Sequence, residues 1–134
     1  MNITEIFDNY KSIAVVGMSK NATKPSNSVP VFMKNQGYNI IPVNPSADEI
    51  EGMKCWSALA DVPEKIDIVN VFRPSDAALE VVKEAVQRKI SNGDISAIWL
   101  QEGIINDEAK ALAEANSIEF IQNKCMYKEY VNVK

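Results

Sequence analysis

Five short apolar runs, separated by segments of helical period, constrain the fold most. They are IAVVG (13–17), YNIIPV (38–43), DIVNVF (67–72), SAIWL (96–100) and IEFI (118–121). Most are apolar at consecutive rather than alternate positions, the pattern of a strand covered on both faces. Between and around them, apolar residues recur at helical spacing: Ile3, Ile6, Phe7 and Tyr10; Val29, Phe32 and Met33; Leu79, Val82 and Val86; Ala109, Leu112 and Ala113. Repeated strand, helix, strand predicts one α/β domain over residues 1–134, a doubly wound parallel five-stranded sheet. Right-handed crossovers narrow the topology, and the expected order is 3-2-1-4-5, with 2-1-3-4-5 as the alternative. Residues 44–66 carry no long helical pattern, so the second crossover is expected to be irregular. Pro42 marks the end of its strand or an unpaired position in it. Ser26 or Ser28 is expected to cap the second helix with Pro30 in its first turn, Ser75 the third and Asn106 the fourth.

A chain of 134 residues suffices for one domain with its own core. It contains no histidine, which excludes nucleophilic triads built on that residue and removes the commonest metal ligand. Two cysteines, Cys55 and Cys125, form no disulfide framework, and no metal site is expected. Chemistry by Asp, Glu, Lys or a cofactor stays open, so no catalytic residue is assigned and enzyme status is undecided. A net charge of −4 gives no electrostatic basis for nucleic-acid binding. No apolar run approaches a membrane span, and the amino end lacks a basic stretch followed by a long apolar one. A cytoplasmic location without a membrane partner is expected. No heptad seam is visible, and a monomer or homodimer is expected.

In a doubly wound sheet, ligands sit beyond the carboxyl ends of the strands, near the reversal of strand order. That rule selects Gly17-Met18-Ser19-Lys20-Asn21, Val43-Asn44-Pro45, Phe72-Arg73-Pro74 and Gln101-Glu102-Gly103. Free amides after the first strand can hold phosphate oxygens, and Lys20, Lys24 and Arg73 add positive charge. The dinucleotide fingerprint is incomplete. Where G-x-G-x-x-G would stand, the chain reads Gly17-Met18-Ser19-Lys20-Asn21-Ala22. Serine at the second glycine position blocks the close approach of a pyrophosphate, and the second strand ends in PVNP without the acidic residue that binds an NAD ribose. No G-K-[ST] triplet is present either. A nicotinamide or other nucleotide enzyme is therefore the alternative reading.

The segments VVGMSKNATKPSNSV, IIPVNP, VNVFRP, IWLQEG and NKCMYKEY occur in the order seen in the small single-domain CoA-binding proteins. Over residues 10–130 the chain resembles that family, which is similar to the CoA-binding domain of the succinyl-CoA synthetase alpha subunit. The resemblance implies a Rossmann-like fold and a site for coenzyme A or an acyl-CoA on its carboxyl rim. It carries the phosphate loop onto Gly17, Ser19, Lys20 and Ser26, and the second loop onto Val43, Asn44 and Pro45. Phe72, Arg73 and Pro74 match a third segment, and Gln101 and Gly103 a fourth. The chain departs from its relatives at Asn27 and Ser28, where many have an aromatic and a basic residue. It departs again at Tyr130, where they often have histidine five residues after the cysteine. The synthetase's phosphohistidine has no counterpart here.

Overall fold

The computed structural model describes residues 1–134. Helix α1 (Ile3–Asn9) leads into β1 (Ser12–Val16), α2 (Pro25–Asn35) and β2 (Asn39–Val43). A hairpin of β3 (Glu49–Ile50) and β4 (Met53–Lys54) follows, then a 3-10 turn at Leu59–Asp61. The chain continues through β5 (Ile68–Val71), α3 (Ser75–Asn92), β6 (Ala97–Leu100), α4 (Asp107–Ala115), β7 (Glu119–Ile121) and α5 (Met126–Val133). The expected class holds: five parallel strands are covered by helices on both faces. Their spatial order is β2-β1-β5-β6-β7, which is 2-1-3-4-5 when only the main sheet is counted.

The order 3-2-1-4-5 is thus corrected to its alternative, and Pro42 gives the physical reason. Residues 39 and 43 bond to β1, through Asn39 N–H to the Lys11 carbonyl and Gly17 N–H to the Val43 carbonyl. Pro42, opposite Val15 in the register, therefore turns its backbone away from β1. A strand added outside would need an N–H that proline lacks, so β2 is confined to the edge. Only a short segment lies there: Trp56 N–H donates to the Pro42 carbonyl at 3.0 Å, and Asn44 N–H to the Trp56 carbonyl at 2.8 Å.

The sheet is buried on both faces. One layer joins Ala14, Ile41, Val69 and Ile98 to Val82 and Ala85 of α3 and Ala109 of α4. The other joins Ile13, Val15 and Trp99 to Phe7 of α1, Met33 of α2 and Met126 of α5. Trp99 is fully buried, and its indole N–H donates to the Lys124 carbonyl at 2.8 Å. Burial of a large side chain of this kind contributes about 1.5–3 kcal/mol.

Two of the three expected helix caps differ from expectation. Lys24 is the cap residue of α2 and Pro25 its first residue, without a serine side-chain cap. Pro25 has its φ pre-set for that place, which moves Pro30 into the second turn. Pro74 starts α3, while the Ser75 hydroxyl instead accepts from Ile105 N–H at 3.0 Å. Asn106 caps α4 as expected, its Oδ1 accepting from Ala109 N–H at 2.9 Å.

The irregular second crossover is held from α3. Arg88, 4% exposed, donates through Nη1 to the carbonyls of Leu59 (2.7 Å) and Val62 (2.6 Å) and through Nη2 to that of Glu64 (2.9 Å). Nη2 also lies 2.9 Å from the Asp94 carboxylate, which in turn accepts from Ile66 N–H at 3.0 Å. Arg88→Ala should therefore destabilise the domain by about 3–5 kcal/mol, because it leaves a buried carboxylate without its counter-charge and the Val62 and Glu64 carbonyls without a donor. Lys at 88 should rescue only part of this, since one ammonium cannot replace the planar fork. Urea titration of the three proteins checks both expectations.

Candidate functional site

For this strand order the reversal falls between β1 and β5, so the loops following those strands define the crevice. They touch through backbone. Gly17 turns the chain at φ +87°, and a Cβ placed on it would meet the Phe72 carbonyl oxygen at 2.6 Å. Only glycine allows that conformation and that approach together. The Cδ of Arg73 lies 3.4 Å from the same point, so the stem of this exposed side chain crosses Gly17.

The loop after Gly17 is a hook bonded largely to itself. Met18 is fully buried, and its carbonyl accepts from Asn44 Nδ2 at 2.9 Å. Ser19 Oγ accepts from Asn21 N–H at 3.0 Å, and Asn21 Oδ1 from Thr23 N–H and Oγ1–H at 3.0 and 2.7 Å. Ser19 N–H donates to the Ser26 carbonyl at 3.3 Å. Pro30 explains that bond. With no N–H four residues further on, it leaves the Ser26 carbonyl open to the loop. The Ser19 carbonyl accepts from Asn27 Nδ2 at 2.8 Å. The amides of Met18, Lys20 and Ala22 make no hydrogen bond within the chain. Lys20, Lys24 and Arg73 are exposed, and none of them forms an ion pair. Free amides and unpaired cations around a backbone crevice make an anion-binding arrangement.

The remaining rim residues divide into two kinds. Asn44 is occupied within the protein, since beside its bond to Met18 its Oδ1 accepts from Ser46 N–H at 2.9 Å. Val43 is buried in the sheet, whereas Pro45 is exposed beside it. Phe72 is half-buried, and Pro74 is exposed at the start of α3. Gln101 is buried and turns toward α5, its Oε1 accepting from Met126 N–H at 3.4 Å. Gly103, at φ +89°, donates its N–H to Asn123 Oδ1 at 2.7 Å. The fourth segment thus ties β6 to α5, and the other three surround the crevice.

Sequence reading did not single out Asn27 or Glu51 as part of this site, nor Asn123, which supports its border. A glycine preceded by Glu51 between two short apolar segments is the one signal of a tight hairpin there. Asn123 has no such signal. Cys55, beneath the second loop, donates its thiol to the Asn44 carbonyl at 3.4 Å. Burial pushes that thiol above its ordinary pKa, and the Asp48 carboxylate adds to the shift against the opposing charge of Lys20. Cys125 is buried at the cap of α5. The largest hollow, about 440 Å³ and lined by Ala58, Ala60, Lys83, Gln87 and Asn92 among others, shares no residue with the rim.

Fold and rim define a doubly wound α/β domain whose topological switch point carries free backbone amides and unpaired cationic side chains. The chain belongs to the CoA binding domain family, whose characteristic sequence matches residues 11–131. It is 38% identical over 124 residues to the uncharacterized protein YneT of Bacillus subtilis, covering 92% of this chain and 88% of that one. It is 34% identical over 96 residues to an ADP-forming acetate–CoA ligase II of Archaeoglobus fulgidus, covering 69% of this chain but only 14% of the ligase. A hypothetical protein from Pyrococcus horikoshii has the same fold at a TM-score of 0.90 and 32% identity, covering 97% of this chain and 88% of that one. The family supports the coenzyme A reading over the nicotinamide alternative. No helix of the chain is long and apolar enough to cross a membrane.

Gly17→Ala should destabilise the fold by at least about 2 kcal/mol, from left-handed strain and the clash with a backbone oxygen that cannot rotate away. Denaturant unfolding of the variant measures it, and an unchanged midpoint would contradict the backbone contact described.

Proposed function

We propose that the chain binds coenzyme A or an acyl-CoA reversibly in the crevice between the loops after β1 and β5. The observation that carries this reading is the meeting of the unpaired Arg73 with Gly17, beside a loop whose Met18, Lys20 and Ala22 amides are free. Membership of the CoA binding domain family supports it. In this reading Lys20, Lys24 and the amides near Ser19 and Ser26 face phosphate oxygens. Arg73 contacts a phosphate or stacks on the base, and Val43, Asn44 and Pro45 shape the adjoining wall. Gln101 and Gly103 border the site through α5. No reaction is assigned. The chain spans 14% of the ligase it matches, and fold alone does not transfer that activity.

The rim is built to hold a ligand without disturbing the core, so Arg73→Ala should leave thermal unfolding nearly unchanged. The variant should weaken CoA binding by about 1.5–3 kcal/mol, the loss of one charged hydrogen-bonding anchor. Calorimetric titration with CoA, acetyl-CoA, NAD and NADP tests both residue and ligand. NAD binding without CoA binding would reverse the reading, and no response to any of the four would favour a protein-interaction module. Unchanged CoA affinity in Arg73→Ala would remove that side chain from the site.

A further inference from the structure

The hairpin of β3 and β4 has a two-residue turn, Glu51-Gly52, with φ +52° and +75°. Such a turn requires positive φ at both central positions, where glycine, asparagine and aspartate are favoured. Glutamate there carries backbone strain and gains nothing locally from its long side chain. Its Oε1 instead accepts from Asn27 Nδ2 at 3.0 Å. Asn27 is 2% exposed, and the same nitrogen donates to the Ser19 carbonyl at 2.8 Å. Both partners are acceptors, so the two N–H bonds of one amide join the hairpin to the loop after β1. Asn44 Nδ2 holds the neighbouring Met18 carbonyl. The Ser19 carbonyl shares its trans peptide with the Lys20 N–H, so drawing that carbonyl toward Asn27 turns the free Lys20 amide the opposite way.

We propose that Glu51 is a positioning residue for the anion-binding loop, acting through Asn27 to fix the Ser19 carbonyl and so aim the free amides of the loop. The inference rests on the reading of this loop as the coenzyme A phosphate site. It goes beyond that reading by making the hairpin part of the site, with strained backbone retained for the sake of the bond. A carboxylate near a phosphate site opposes anion binding by charge. Its place there is explained by what it holds: the stronger acceptor for an amide that must also reach Ser19.

The test compares the wild type with Glu51→Gly and Glu51→Gln, by amide hydrogen exchange, thermal unfolding and titration with CoA. Glycine relieves the left-handed strain and deletes the acceptor; glutamine keeps an acceptor oxygen at the same reach. In Glu51→Gly the Ser19 and Asn21 amides should exchange about tenfold faster, the loss of one hydrogen bond, with those of β1 unchanged. CoA binding should weaken by a similar factor while the unfolding midpoint is unchanged or raised. Glu51→Gln should restore both loop protection and affinity. Wild-type loop exchange in Glu51→Gly would overturn the proposal. So would a lowered midpoint with faster exchange throughout the strands, which marks a merely structural role. Failure of the wild type to bind CoA would refute the ligand reading alone, since loop exchange decides the positioning role without it.

Discussion

The guanidinium of Arg88 allows a helix-free crossover in a fold that usually covers its sheet with helices. Within residues 59–66 only Leu59–Asp61 form a short turn, which pairs the Leu59 carbonyl with Val62 N–H and leaves those of Val62 and Glu64 without a partner in the segment. Arg88 supplies donors to all three, and Asp94 balances its charge while receiving the Ile66 amide. Desolvating such a pair is costly, and its net contribution to stability is modest when every bond is made. Its importance lies in the asymmetry: one partner without the other leaves a charge buried among carbonyls. The pair thus holds the chain where it enters β5.

The pairing of β5 with β1 positions the candidate site. With β5 beside β1, their following loops leave toward opposite faces and a crevice opens between them. Gly17 and Phe72 then meet at backbone distance, so the crevice floor is peptide rather than side chain. Had the next strand been added outside β2, the reversal would have fallen elsewhere and Arg73 would not cross Gly17. Pro42 excludes that arrangement by withholding one N–H from the outer edge of β2. A single imino residue thus keeps β2 at the sheet edge, and a single guanidinium holds the crossover against α3.

The fold class was legible because continuous apolar strands and periodic helices are local patterns. Pro42 reads as the end of its strand or an unpaired position, and its consequence for strand order depends on which way its backbone points. The short hairpin was not legible, since two-residue strands carry no periodicity and Glu-Gly is a weak turn signal. The serines expected to cap α2 and α3 do not do so: Lys24 is the cap residue of α2 with Pro25 at its first position, and Pro74 is the cap residue of α3. At the rim, residue types suggested polar contacts without showing their direction. Asn44 and Gln101 read as ligand groups, whereas their side chains bond to Met18, Ser46 and Met126. Arg73 was easier to place, because a cation between a buried strand and a proline has few places to go other than the rim.

The division of labour at the rim follows from this. Its amide side chains give part of their bonding capacity to backbone partners, Asn44 to Met18 and Ser46 and Gln101 through Oε1 to Met126. The groups at the rim with no partner in the chain include peptide N–H and long, unpaired cationic side chains. Peptide amides present donors in fixed directions at no side-chain entropy cost, which suits oxygens of a phosphate group. Lysines on flexible stems add charge without demanding one geometry, while the planar fork of Arg73 presents paired donors. Under the proposed function, such a surface would recognise the charged, oxygen-rich part of a ligand and impose little on an uncharged remainder. On the coenzyme A reading, affinity is therefore set at the nucleotide end, and free coenzyme A and its short acyl esters should bind alike unless groups outside this crevice distinguish them.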